Sequence, residues 1–152
     1  MEAVTERILS SIVMVSMMVI GCAGMRPAGL GVKDGKLVPC PSTPNCVSSQ
    51  SSEREHAVEP LMFTGTVTDA HEALRKIILG MKRSRIITDT ESYIHAEFTS
   101  AIFRFVDDVE FWFDDNAKVI HVRSAARLGH SDLGVNRKRV EDIRARWNAS
   151  GK

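Results

Sequence analysis

Between Asp107 and Arg137 the chain carries Asp107, Asp108, Glu110, Arg123, Ser124, Arg127, Ser131, Asp132, Asn136 and Arg137. Carboxylates can act as general acids and bases or hold a divalent cation; guanidinium groups grip anions; hydroxyl and amide side chains orient what is held. His130-Ser131-Asp132 has the letters of a hydrolase triad. Neighbours in one loop rarely reach triad geometry, which is defined by spatial roles. A nucleophile elbow, a zincin helix motif and a phosphate loop are absent from the sequence. We therefore assign no catalytic residue, no metal ligand and no cofactor from the sequence.

Two strand-like halves must position these groups. Phe103, Phe105, Val109, Phe111 and Phe113 share odd positions, interrupted by Asp107, while Arg104, Asp108, Glu110 and Trp112 take the other face. Asp114-Asp115-Asn116-Ala117 reads as the turn, and Lys118 to Ala126 as the returning strand. Pairing Phe113 with Lys118 sets Phe111 against Ile120, Val109 against Val122, Glu110 against His121, Asp108 against Arg123 and Asp107 against Ser124. A carboxylate on the apolar side needs donors or a cation, and Arg127 is near in sequence. After Gly129, Ser131 or Asp132 is placed to cap a last helix whose stripe is Asn136, Val140, Ile143 and Trp147.

Upstream, His56 to Phe63 reads as a first strand. Thr66 and Asp69 form a capping-box pattern opening a helix with Ala70, Leu74, Ile77, Ile78 and Met81 on one stripe. Arg85–Thr90 and Ser92–Thr99 follow as strands. The order β-α-β-β-β-β-α predicts an α+β fold: a curved antiparallel five-stranded sheet with two helices on one face. No internal repeat or second domain is visible, and 152 residues suffice for one core. Hydrophobic residues at 43% and charged residues at 26% argue against extensive disorder. A formal charge of +1 gives no general attraction to nucleic acid, so an anion site must arise from local clustering.

The amino terminus bears on location. Ile8 to Ile20 is an apolar run broken only by serines, shorter than the roughly 20 residues that span a bilayer, and it ends in Val19-Ile20-Gly21-Cys22. It reads as a signal peptide over residues 1–21 despite Glu2 and Glu6 in the leading segment, the other reading being an uncleaved membrane anchor. Its terminal motif resembles a bacterial lipobox, which makes Cys22 the lipidation site, residues 22–36 a lipidated flexible tether and residues 37–149 a single globular domain. The expected location is the cell envelope, facing the periplasm, with the outer membrane preferred over the inner. Cys40 and Cys46 are then an even pair in an oxidising compartment and read as a disulfide; five intervening residues suit neither zinc nor redox pairs.

Leu37 to Gln50, with its Pro-Cys-Pro and Pro-Asn-Cys steps, together with Phe105-Val106-Asp107-Asp108-Val109-Glu110, Val122-Arg123-Ser124 and Arg127 to Arg139, resembles the uncharacterised family known as domain of unknown function 1499. Ala126 departs from the family pattern, where a second serine is frequent. The element order is similar to the TATA-box-binding-protein half domain and to helix-grip proteins, a likeness that carries no function. The residues then support a noncatalytic envelope protein binding a small anionic or lipid-like ligand, or another envelope protein, at the Asp/Arg-rich motif. Arg123, Arg127 and Arg137 would meet an anion near the start of the last helix. Against this stands internal neutralisation, in which the acids balance the arginines and the network fixes the fold. The alternative class is a carboxylate- or metal-dependent envelope hydrolase. Membrane attachment through the lipid, but not nucleic acid, completes the expected partners.

Overall fold

The computed structural model describes residues 23–151. The expected signal peptide over 1–21 and the expected lipidation site Cys22 lie outside the described residues. No described helix is long and apolar enough to cross a membrane.

The fold is α+β, built on a mostly antiparallel, open six-stranded sheet. In chain order the elements are β1 (Cys46–Ser48), β2 (Leu61–Met62), α1 (Val67–Leu79), β3 (Ser84–Thr90), β4 (Tyr93–Thr99), β5 (Val106–Asp114), β6 (Val119–Ala126) and α2 (Val135–Ala149). The sheet runs β1-β6-β5-β4-β3, with β2 also paired to β6. The expected count of five strands is thus corrected. Cys46-Val47-Ser48 pairs with Arg123-Ser124-Ala125, and the long first strand shrinks to Leu61–Met62 along the same β6 edge. One edge is shared by two short strands because Ser49 to Pro60 turns away, with His56 buried and its Nδ1 2.8 Å from the Cys46 carbonyl.

Helix α1 starts where Thr66 Oγ1 accepts the Asp69 amide at 3.1 Å, satisfying a donor the helix cannot pair itself. Its stripe Ala70, Leu74 and Ile78 is buried, as is Val140, Ile143 and Trp147 of α2. Both stripes join Ile94, Val109, Phe111, Phe113, Ile120 and Val122 in one core. Helices therefore cover one sheet face and the odd positions of β5. His71 packs its ring against Phe113 at 5.4 Å rather than facing solvent.

The β5–β6 register differs from the expected one by two residues. Phe113 pairs with Ile120, Phe111 with Val122, Val109 with Ser124, Glu110 with Arg123, Asp108 with Ala125 and Asp107 with Ala126. The cause is the turn. Asp114 remains in β5 and its Oδ1 accepts the Asn116 and Ala117 amides at 3.0 and 3.1 Å, while Lys118 closes the loop at φ 54°. An even shift leaves every side chain on its expected face. Phe103 and Phe105 lie before the strand and are exposed.

The face away from the helices is covered by residues 23–37. Arg26 reaches Glu97 on β4, the Gly31 amide reaches Glu110 on β5, Gly35 approaches Trp112, and the Leu37 amide reaches Gln50 beyond β1. Where composition suggested a flexible tether over 22–36, the described part crosses the strands in contact with them. The Cys40–Cys46 disulfide joins the end of this segment to β1.

Candidate functional site

The polar residues of β4, β5 and β6 separate into two clusters on opposite sheet faces. Beneath α2, Asp107 ion-pairs with Arg139 Nη2. Arg139 Nη1 donates to Asn136 Oδ1 at 2.6 Å and to Ser124 Oγ at 3.2 Å, and the Ser124 hydroxyl donates to Asn136 Oδ1. Asn136, fully buried, gives its Nδ2 to the Asn45 carbonyl at 3.1 Å. Burial pushes the Asp107 carboxyl above its ordinary value; Arg139 opposes the shift, and Asp132 and Asp108 add to it.

On the other face β4 and β5 align Tyr93 with Trp112, His95 with Glu110, and Glu97 with Asp108. Glu110 pairs with Arg123 at 3.2 Å and also accepts from the Tyr93 hydroxyl and the Gly31 amide, each at 2.8 Å. Asp108 accepts both Nε and Nη2 of Arg127 at 2.7 Å and lies 2.8 Å from His95 Nε2, which must carry the hydrogen because a carboxylate only accepts. Glu97 gathers Arg26, Arg85 and Arg127.

Electrostatics follows from these contacts. Burial raises the Glu97 pKa, but hydrogen bonds from Arg127, Arg85 and Arg26 outweigh it and bring the group down from 4.5 to about 2. Burial likewise opposes ionisation of Asp108, and Arg127 with His95 reverses the balance, lowering its pKa. Burial, then the Glu110 charge, pushes the Tyr93 phenol far above its ordinary value and keeps it a donor. The Asp108 bond, against the opposing effect of burial, raises Arg127. In this layer, among the described residues, Arg123 Nε is buried without a hydrogen-bond partner.

The expected convergence of Asp107, Arg127 and Arg137 at the start of α2 does not occur. Successive residues on a strand face opposite ways, so Asp107 goes to α2 and Asp108 to Arg127 on the far face. Arg137 instead donates to the Ala57 and Glu55 carbonyls at 2.7 and 2.8 Å. Neither Ser131 nor Asp132 is the N-cap of α2; Gly134, at φ 80°, holds that position. Asp132 nevertheless accepts the Gly134 and Asn136 amides, and Ser131 Oγ accepts the Leu133 amide at 3.3 Å. These bonds occupy two letters of the triad-like sequence.

Residues 36–146 match the family model described as Protein of unknown function (DUF1499). The chain belongs to the DUF1499 family. No curated protein matches it. The DUF1499 match contains Tyr93, His95, Glu97, Asp108, Glu110, Arg123 and Arg127 but begins after Arg26 and Gly31, which supply three donors to the polar layer.

Sequence reasoning missed Tyr93, His95, Glu97, Arg139 and Arg26. The first three formed a visible signal, a polar row at period two within β4. Arg139 stands three residues after Asn136, on the same helix face. Arg26 had no local pattern to mark it. Among the described residues no three His, Cys, Asp or Glu side chains are grouped to hold a metal ion.

Proposed function

We propose that this DUF1499 member is a noncatalytic lipoprotein of the bacterial envelope, anchored through Cys22 and facing the periplasm from the outer rather than the inner membrane. It acts by binding an envelope protein or a small anionic or lipid-like molecule at its surface. The buried Asp/Arg residues form the frame of that surface. One observation carries this reading: Asp107 meets Arg139, Asp108 meets Arg127 and Glu110 meets Arg123, all within the chain. A general base needs a carboxylate free to take a proton near the substrate, and a metal needs several free oxygens. Here a guanidinium group engages each of the three carboxylates, and the second oxygen of Glu110 accepts from Tyr93 and the Gly31 amide.

The Cys40–Cys46 disulfide supports an oxidising compartment and leaves Cys22 as the remaining cysteine for acylation. The helix-grip likeness, a curved sheet gripped by helices on one side, belongs to the same reading. Crosslinking in native envelopes should capture a partner, and lipid analysis of gently extracted full-length protein should detect a retained small molecule. Hydrolase screening with and without divalent metals should be blank. Turnover abolished by Asp107→Asn or Ser131→Ala would instead establish the hydrolase alternative.

A further inference from the structure

The exposed apolar and basic residues are unevenly distributed. The β4–β5 loop is a closed tip, with the Ser100 amide donating to the Phe105 carbonyl at 2.8 Å and the Phe105 amide to Ser100 Oγ at 2.9 Å. It holds Ile102 at 81% and Phe103 at 67% exposure, the latter stacked on Phe105 at 5.7 Å. Leu133, 94% exposed, projects from the β6–α2 loop at the same end of the sheet. Such side chains gain nothing from water, and a contiguous exposed apolar patch marks an interaction site.

Arg83, Arg85 and Arg104 line one pocket beside this tip. The pocket's acid, Glu97, is already held by Arg26, Arg85 and Arg127. Among the described residues Arg83 and Arg104 form no ion pair; Arg83 Nε donates to the neutral Thr99 carbonyl at 3.1 Å. The opposite end of the sheet carries Glu91 in the β3–β4 turn, Asp114 at the end of β5, and Asp115 paired with Lys118 in the β5–β6 turn. Among the described residues, arginines outside ion pairs thus gather beside the apolar tip, whereas the lysine of the opposite turn is neutralised by Asp115.

Ala23, the first described residue, lines that same basic pocket. Gly24 lies against Arg127 and Leu128. The chain that precedes Ala23, with Cys22 and the apolar run Ile8 to Ile20, therefore joins the fold at the cationic end.

We propose that this end is a membrane-docking surface for anionic phospholipid, with Ile102 and Phe103 entering the interface and Arg83 and Arg104 meeting headgroup phosphates. The inference rests on the envelope reading above and deepens it: the domain lies on the bilayer that anchors it, with the β3–β4 and β5–β6 turns outward. Apolar insertion supplies affinity, and each arginine adds attraction that salt screens.

Hydrogen exchange of the full-length chain in vesicles tests this. Vesicles of phosphatidylglycerol with phosphatidylcholine should slow exchange over residues 100–105 relative to pure phosphatidylcholine, leaving the Glu91–Ser92 turn unchanged. The doubly substituted Ile102→Ser, Phe103→Ser chain should lose this protection while Phe111 and other core amides keep theirs. Arg104→Ser should weaken docking about fivefold, an effect that high salt removes. Equal exchange in both vesicle types would overturn the proposal, as would protection that appears only in native envelopes, where a protein would be the occupant. An unmodified Cys22 in the mature protein would overturn the anchoring reading, and it is read by mass rather than by exchange.

Discussion

Asp107 and Asp108 are adjacent acids with opposite energetic standing. Asp108, 1% exposed, accepts two hydrogen bonds from Arg127 and one from His95, and its pKa is lowered. Asp108→Asn leaves the buried Arg127 guanidinium with Glu97 as its one carboxylate and removes the charge facing His95, and we expect a loss of about 3 kcal/mol in urea denaturation. Asp107→Asn should cost less, about 1 to 2 kcal/mol: Arg139 loses its carboxylate, but burial already works against the Asp107 charge and Arg139 keeps Asn136 and Ser124 as acceptors. Equal losses would show that the two clusters are not energetically distinct. The pH profile follows with its signs. Glu97 sits below its ordinary value, so its contribution is complete above 4.5 and is lost as pH falls toward about 2; Asp108 acts in the same direction. Asp107 is raised, so its contribution is present at low pH and is lost as pH rises through its folded value. Acid should therefore remove about 3 kcal/mol through Glu97, partly offset by Asp107. Glu97→Gln should flatten the fall of the urea midpoint over that interval.

At the scale of elements, much of the sheet was legible because β5 alternates and α1 has both a cap and an apolar stripe. The faces were readable too, so the separation of Asp107 from Asp108 followed from strand geometry alone. Which partners met them was not. Register depends on a turn whose boundary Asp114 sets through its own side chain, and β1 is three residues long, too short for periodicity to reveal. The cover over the polar face was equally hidden, since its contacts use backbone amides and glycines. Gly24 illustrates this: at φ 65°, an added Cβ would stand 3.0 Å from Arg127 Cβ and 3.1 Å from Leu128 Cγ. Gly24→Ala is both strained and crowded, and we expect about 1 to 2 kcal/mol of destabilisation. Exchange should rise at Gly31, which donates to Glu110, while the α1 amides keep their protection. Uniform loss of protection would mean that the cover and the core open together.

For the whole molecule, two kinds of layer are joined to one sheet. Helices on one side exclude water around Phe111, Leu74 and Trp147; on the other side charges are excluded from water by a strip of chain with little apolar content. Hydrophobic burial is nondirectional, whereas the ionic layer loses its balance when one partner moves. The Cys40–Cys46 bond is the covalent tie between that strip and the sheet edge, closing a sequence separation of 6. Its short loop restricts the unfolded chain modestly, so reduction should cost about 2 kcal/mol. The loss should be local. With the tie opened, Arg26 and Gly31 hold the strip by polar contacts, and their release would admit water to Glu97 and Glu110 before the core yields. Reduced full-length protein should exchange faster at Gly31 and Leu37 yet retain near-ultraviolet dichroism from Trp147, which is 1% exposed and donates to the Met62 carbonyl at 2.8 Å. Simultaneous loss of both signals would mean that the disulfide supports the core itself.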